Sequence, residues 1–172
     1  ASIEGATSVT SVTVSLGDPL TTVTGIVQTV DGDPVDGAAV RFVVNGALIA
    51  GSGVTGPPGQ APGQFIVPGV ASQLGPISGY ATATVDTVPR SGVSLSKPAV
   101  PGGFTDAGLI TLDNRVFWIR NADGPWATVT NWVSGTLPTL DQIAVIDVPA
   151  NITVTLQQCP SCSTQIAGIE CA

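Results

Sequence analysis

The alternation of apolar and polar positions is clearest from Thr22 to Ala50, where it marks out three extended segments in a row. Apolar residues recur at every second position in Val23–Val27. Asp31-Gly32-Asp33-Pro34 then punctuates, and Ala39–Val44 resumes the extended pattern. Asn45-Gly46 between apolar runs predicts a two-residue hairpin, because a type I′ turn needs positive φ at both central positions. The same period of two appears in Ala6–Leu16, with Val12, Val14 and Leu16 on one face, before Gly17-Asp18-Pro19 breaks it. It returns in Gly79–Val88, where Tyr80, Thr82, Thr84 and Asp86 share one face and Ala81, Ala83, Val85 and Thr87 the other. Shorter apolar runs at Phe65–Val67 and Leu109–Leu112 predict further strands. Gly51–Gln64 and Val88–Gly103, rich in Gly and Pro, predict loops. The pattern as a whole predicts an all-β chain.

Past Asp113 the character changes. All three tryptophans (Trp118, Trp126, Trp132) fall within Arg115–Trp132, followed by the extended runs Gln142–Val148 and Asn151–Leu156. The expected organisation is an N-terminal arm or first strand (1–17), a β-sandwich (18–113) and a Trp-bearing β-segment with a cysteine cluster (114–172). Val9, Val12, Val14 and Leu16 make the arm a candidate donor strand, able to add to a neighbouring molecule's sheet edge. With neither a Met nor a basic leader, Ala1 is expected to be the first residue of a processed, exported chain or of a trimmed one.

The order of Val23-Thr24-Gly25-Ile26-Val27, Asp31-Gly32-Asp33-Pro34-Val35 and Gly37-Ala38-Ala39-Val40 resembles the carboxypeptidase-regulatory-like group of prealbumin-type β-sandwiches. Gly63–Val67 and Pro101–Gly108 continue the likeness over about residues 20–113. The resemblance implies a Greek-key, prealbumin-like sandwich doing scaffold or binding work in a secreted or surface protein. Some related surface domains carry a Lys–Asn isopeptide. Here the sole lysine, Lys97, precedes Pro98 late in the chain rather than standing in an early strand. Residues 115–156, with their Trp-bearing segment, Thr136-Leu137-Pro138 turn and Val145-Ile146-Asp147 strand, resemble the opening turns of secreted bacterial β-solenoid proteins, although no sequence repeat of solenoid period follows.

Charge narrows the function. The net charge is −7, and five scattered basic residues (Arg41, Arg90, Lys97, Arg115, Arg120) make no phosphate-neutralising stripe, so nucleic acid is not an expected partner. No uninterrupted apolar run approaches the ~18 residues of a membrane-spanning helix, so membrane insertion is not expected either. Charged residues are 10% of the chain, against about 25% in ordinary soluble domains. So few charges blunt strand edges poorly, and copies of the chain pairing through those edges are the expected partners.

Catalytic chemistry is sparse. The absence of histidine excludes Ser-His-Asp and Cys-His arrangements within the chain. Paired carboxylates would permit a glycosidase, but most acidic residues sit in turns such as Asp18-Pro19, Asp36-Gly37 and Asp123-Gly124, where Asp stabilises the backbone. The chain is therefore read as a non-enzyme that requires no cofactor. Asp31, Asp33 and Asp36 are candidate Ca²⁺ ligands, weighed against simple turn stabilisation, and the full calcium-loop pattern is absent. Cys159, Cys162 and Cys171 are candidate disulfide partners in an exported protein, one thiol being left over. Trp118, Trp126 and Trp132 are candidates for a flat platform for surface glycans, or else for core. Asn151-Ile152-Thr153 matches a glycosylation sequon. Together these features favour a non-catalytic extracellular or cell-surface structural protein, a self-associating fibre or filament subunit or an adhesin segment. A carbohydrate- or partner-binding accessory module is the alternative, and a small carboxylate-dependent hydrolase the third.

Overall fold

The computed structural model describes residues 19–44, 47–72, 75–148, 150–156 and 166–171, and these are all-β apart from one 3₁₀ turn at Val129–Asn131. Seven strands come first: β1 (Leu20–Thr29), β2 (Ala39–Val44), β3 (Ala47–Val54), β4 (Gln64–Ala71), β5 (Ser78–Val85), β6 (Val88–Val93) and β7 (Phe104–Leu112). They form two sheets, ordered β4-β1-β7 and β3-β2-β5-β6. The first is mixed: β1 runs antiparallel to β4 and parallel to β7. Val23 and Val27 of β1, Val40, Phe42 and Val44 of β2, Phe65, Val67 and Val70 of β4, and Ile110 and Leu112 of β7 meet in one buried core between the sheets. Strand alternation places each of them there, and Phe42 and Phe65 pack tilted at 6.2 Å.

In the β4-β1-β7 sheet two bulges keep that alternation in phase. At Pro68-Gly69 the register of β4 against β1 shifts, with Gly69 at φ 75°, so the strand runs through the proline instead of stopping at Val67. At Gly108, φ 77°, β7 bulges, and Asp106 Oδ1 accepts the Gly108 N–H at 2.8 Å. Leu109 is thereby turned outward while Ile110 and Leu112 return to the core.

The hairpin around Asn45-Gly46 is bracketed by the Val44–Ala47 pair, the turn itself lying outside the described residues. A second two-residue hairpin departs from the sequence expectation. Gly79–Val88 is not one strand, because Asp86 and Thr87 adopt φ of 50° and 69° and reverse the chain, and Val88–Val93 is a strand where a loop was expected. β6 tolerates Pro89 because it ends its sheet. The Gly51–Gln64 loop is likewise shorter than expected, since β3 extends to Val54.

The remaining strands are β8 (Arg115–Phe117), β9 (Gly124–Pro125), β10 (Ile143–Ile146), β11 (Val154–Thr155) and β12 (Gly168–Cys171). All pair in parallel: β8 and β12 flank β10, and β9 pairs with β11. Arg115 lies opposite Ile143 and Ile143 opposite Gly168, so the chain returns to the same face after 28 and then 25 residues. A backbone repeat is therefore present where no sequence repeat is visible. Val116, Trp118, Trp126, Trp132 and Ala144 fill the interior of this coil. Arg115 reaches from β8 to the Glu170 carboxylate on β12, 3.1 Å away.

The coil is seated on the sandwich. Ser91 and Asp113 exchange backbone hydrogen bonds, the Ser91 hydroxyl donates to the Arg115 carbonyl, and Gln142 Nε2 donates to the Pro89 carbonyl at 3.2 Å. A small core of Val43, Ile119 and Val133, with Tyr80 and Phe117 against it, seals the seam.

Candidate functional site

The tryptophans are core. Trp118, Trp126 and Trp132 are 1%, 4% and 1% exposed, which removes the flat glycan platform. Trp132 is the centre of the group, meeting Trp118 edge-on at 5.2 Å and Trp126 at 4.6 Å. Two indoles are pinned by hydrogen bonds, Trp132 Nε1 to the Trp126 carbonyl at 2.9 Å and Trp118 Nε1 to the Arg120 carbonyl at 2.6 Å. The physical reason is coil geometry: strands of two to four residues have little apolar surface, so large rings must fill the space between faces.

Asp31, Asp33 and Asp36 do share a cleft, of about 580 Å³, with Asp86, Asp113 and Arg90. Among the described residues no group of three or more His, Cys, Asp or Glu side chains comes together as a metal ion would need. The Asp36 carboxylate and the Asp33 backbone hold the turn. Asp36 Oδ1 accepts the Gly63 N–H at 2.6 Å and so ties the acidic turn to the Gly/Pro loop. The Asp33 N–H donates to Thr29 Oγ1 at 3.2 Å, and the Thr29 N–H donates to the Asp33 carbonyl at 2.8 Å. Thr55 Oγ1 completes the anchor, donating to the Val35 carbonyl at 2.5 Å and accepting the Ala38 N–H at 2.9 Å.

A different cleft, of about 530 Å³, opens at the seam between sandwich and coil. Its apolar walls include Val43, Leu95, Phe117 and Val148, and its polar groups are Ser78, Ser94, Ser96, Tyr80 and Asp147. Tyr80 stands edge-on to Phe117 at 5.6 Å. Burial pushes its phenol up to about 12, and the nearby Asp147 carboxylate adds to the shift. Asp147 follows directly on β10, is exposed at the rim, and is the sole charged residue lining the cleft among the described residues. Sequence reasoning missed both. The available signals were Tyr80 being the single tyrosine and Asp147 closing an otherwise apolar run.

Of the other candidates, Val9, Val12, Val14 and Leu16 lie outside the described residues, as do Cys159 and Cys162. Cys171 is exposed at the end of β12 with a free thiol. Lys97 lies in an extended segment whose backbone pairs with Ile77 at 2.7 and 2.9 Å, and its ammonium makes no ion pair among the described residues.

Comparison with family models, with characterised proteins and with solved structures gave no match. The likenesses to prealbumin-type sandwiches and to solenoid openings therefore stand on the residues quoted for them.

Proposed function

We propose that this chain is a non-catalytic structural protein of the extracellular or cell-surface space, a fibre subunit or adhesin segment that associates with copies of itself. The observation that carries this reading is the outer face of the β4-β1-β7 sheet. Leu20 and Ile26 on the central strand, Ile66 on β4, and Phe104 and Leu109 on β7 are between 41% and 70% exposed. Ile26 lies directly beside Leu109 in the parallel register, and Thr24 beside Ile66, so the apolar side chains form a band across the sheet. Asp106 is the one charged residue in the strands of this face. A contiguous apolar band bordered by threonines is the composition expected of a covered surface.

Magnitude decides what kind of association this is. Fully burying a Leu, Ile or Phe side chain is worth about 1.5–3 kcal/mol, so five that are already half-buried offer on the order of 5 kcal/mol. Association costs at least about 4 kcal/mol in lost freedom. A single such contact is weak and concentration-dependent, of the kind that becomes effective when summed along an array. The coil supports the same reading. Its β8 end rests on the sandwich, whereas β12 has β10 on one side and no strand on the other among the described residues. Ile169 on β12, in register with the buried Ala144, is 54% exposed there. Sedimentation velocity over a wide concentration range tests the proposal. Assembly that grows with concentration and is lost in Ile26→Thr/Leu109→Thr supports it, and a monomer throughout overturns it.

A further inference from the structure

We propose that the cleft at the seam between sandwich and coil binds an aliphatic ammonium or guanidinium group. The cleft brings together three features, of which only the packing of Tyr80 and Phe117 against the seam core is accounted for by the fold. Asp147 is a carboxylate with no ion-pair partner among the described residues, and no basic side chain lines the cleft to neutralise it. Tyr80 has a half-buried ring, and its hydroxyl has no protein hydrogen-bond partner among the described residues. Phe117 stands against that ring, so two aromatic groups border the space Asp147 overlooks.

The chemistry of the lining selects the ligand. A neutral apolar molecule would leave the phenol uncompensated as it displaced water and would gain nothing from the carboxylate at the rim. An anion would meet Asp147 head-on. A cation on a short aliphatic stem satisfies both halves of the site. Its charge pairs with Asp147 and accepts the attraction of the aromatic rings, while its methylenes lie along Val43, Leu95 and Val148. The carboxylate and the aromatic rings together should separate an ammonium from its uncharged analogue by about tenfold. Lys97 is next to Ser96 in the chain, but its side chain is not among those lining the cleft. The same chemistry is carried by a free alkylamine and by a lysine side chain of a partner protein.

The test uses the full chain, titrated with n-butylammonium and, separately, with Nα-acetyl-lysine amide. Binding is followed by isothermal calorimetry and by chemical-shift changes of Tyr80 and Phe117. Saturable binding on the order of 1 mM is expected for at least one arm, and the tighter arm identifies the source. n-Butanol should bind at least about tenfold more weakly, and Asp147→Asn should weaken the amine by a similar factor. Asp147 is exposed at the rim, so the variant keeps the fold, which circular dichroism checks. Tyr80→Phe, which preserves the ring packing, should weaken binding several-fold. Equal binding of butanol and butylammonium, amine binding indifferent to Asp147→Asn, preference for methyl glucoside, or no saturable binding by either amine would each overturn the proposal.

Discussion

Replacing Trp132 by alanine separates a structural role for the tryptophans from a ligand-binding one. The ring is 1% exposed and wedged between Trp118 at 5.2 Å and Trp126 at 4.6 Å. Truncating a buried tryptophan costs about 3–5 kcal/mol through lost transfer energy and the cavity left behind. Losing the 2.9 Å bond from Nε1 strands the buried Trp126 carbonyl, which adds about 1 kcal/mol. The total, about 4–6 kcal/mol, approaches the whole stability of a marginal domain. Trp132→Phe retains a ring in the gap and should cost about 2 kcal/mol, so it gives a readable variant if the alanine form does not fold. In urea, with a slope of about 2 kcal/mol per molar, these losses move the midpoint by about 2–3 M and 1 M. Unfolding followed by near-ultraviolet circular dichroism measures both. A folded Trp132→Ala protein with an unchanged midpoint, and above all one that had lost retention on a glycan column, would refute the assignment of these rings to the core.

Three further outcomes follow from other parts of the fold. Gly25→Ala would place a methyl 2.5 Å from the Phe65 ring and 2.7 Å from the Gly108 carbonyl oxygen, and the backbone oxygen cannot swing away. A loss of about 1–3 kcal/mol or more is expected, and a neutral result in thermal unfolding would contradict the sheet packing described. Replacing Asp86-Thr87 by Asn-Gly relieves two positive-φ positions that Thr in particular adopts poorly, and should raise stability by about 1 kcal/mol. Tyr80 makes stability fall in alkali. Its folded pKa of about 12 lies above the ordinary 10, so its contribution is complete below pH 10 and is lost as pH rises through 12. The contribution is on the order of 2 kcal/mol, and Tyr80→Phe should flatten that limb of a pH-stability profile.

The parts of the fold that could be read in the sequence are those whose cause is local. β1, β2 and the Asn45-Gly46 hairpin follow from period-two patterning and turn chemistry within about twenty-five residues. β4 was cut short at Val67 because Pro68 breaks a strand unless a bulge admits it, and the bulge depends on how β4 lies against β1. The Asp86-Thr87 turn is hidden in the sequence because Thr, being β-branched, is not a usual choice for positive φ. In the coil, strands of two to four residues carry almost no pattern, and partners 25–30 residues apart decide the structure. For that reason the sequence favours a core for the tryptophans over a platform without deciding between them. The three aspartates could be placed in a turn by spacing alone, but the hydrogen bond from the distant Gly63 to Asp36 could not. Tyr80 and Asp147 are 67 positions apart and meet only because the coil docks on β5.

The central claim is that this weakly charged β-protein covers its apolar sheet face with copies of itself. Analytical ultracentrifugation of the intact chain from about 1 to several hundred micromolar tests it most directly. Reversible assembly that increases with concentration, and that disappears in Ile26→Thr/Leu109→Thr while the fold persists, is the predicted result. A single monomeric species across the whole range, the same for both proteins, would contradict the account.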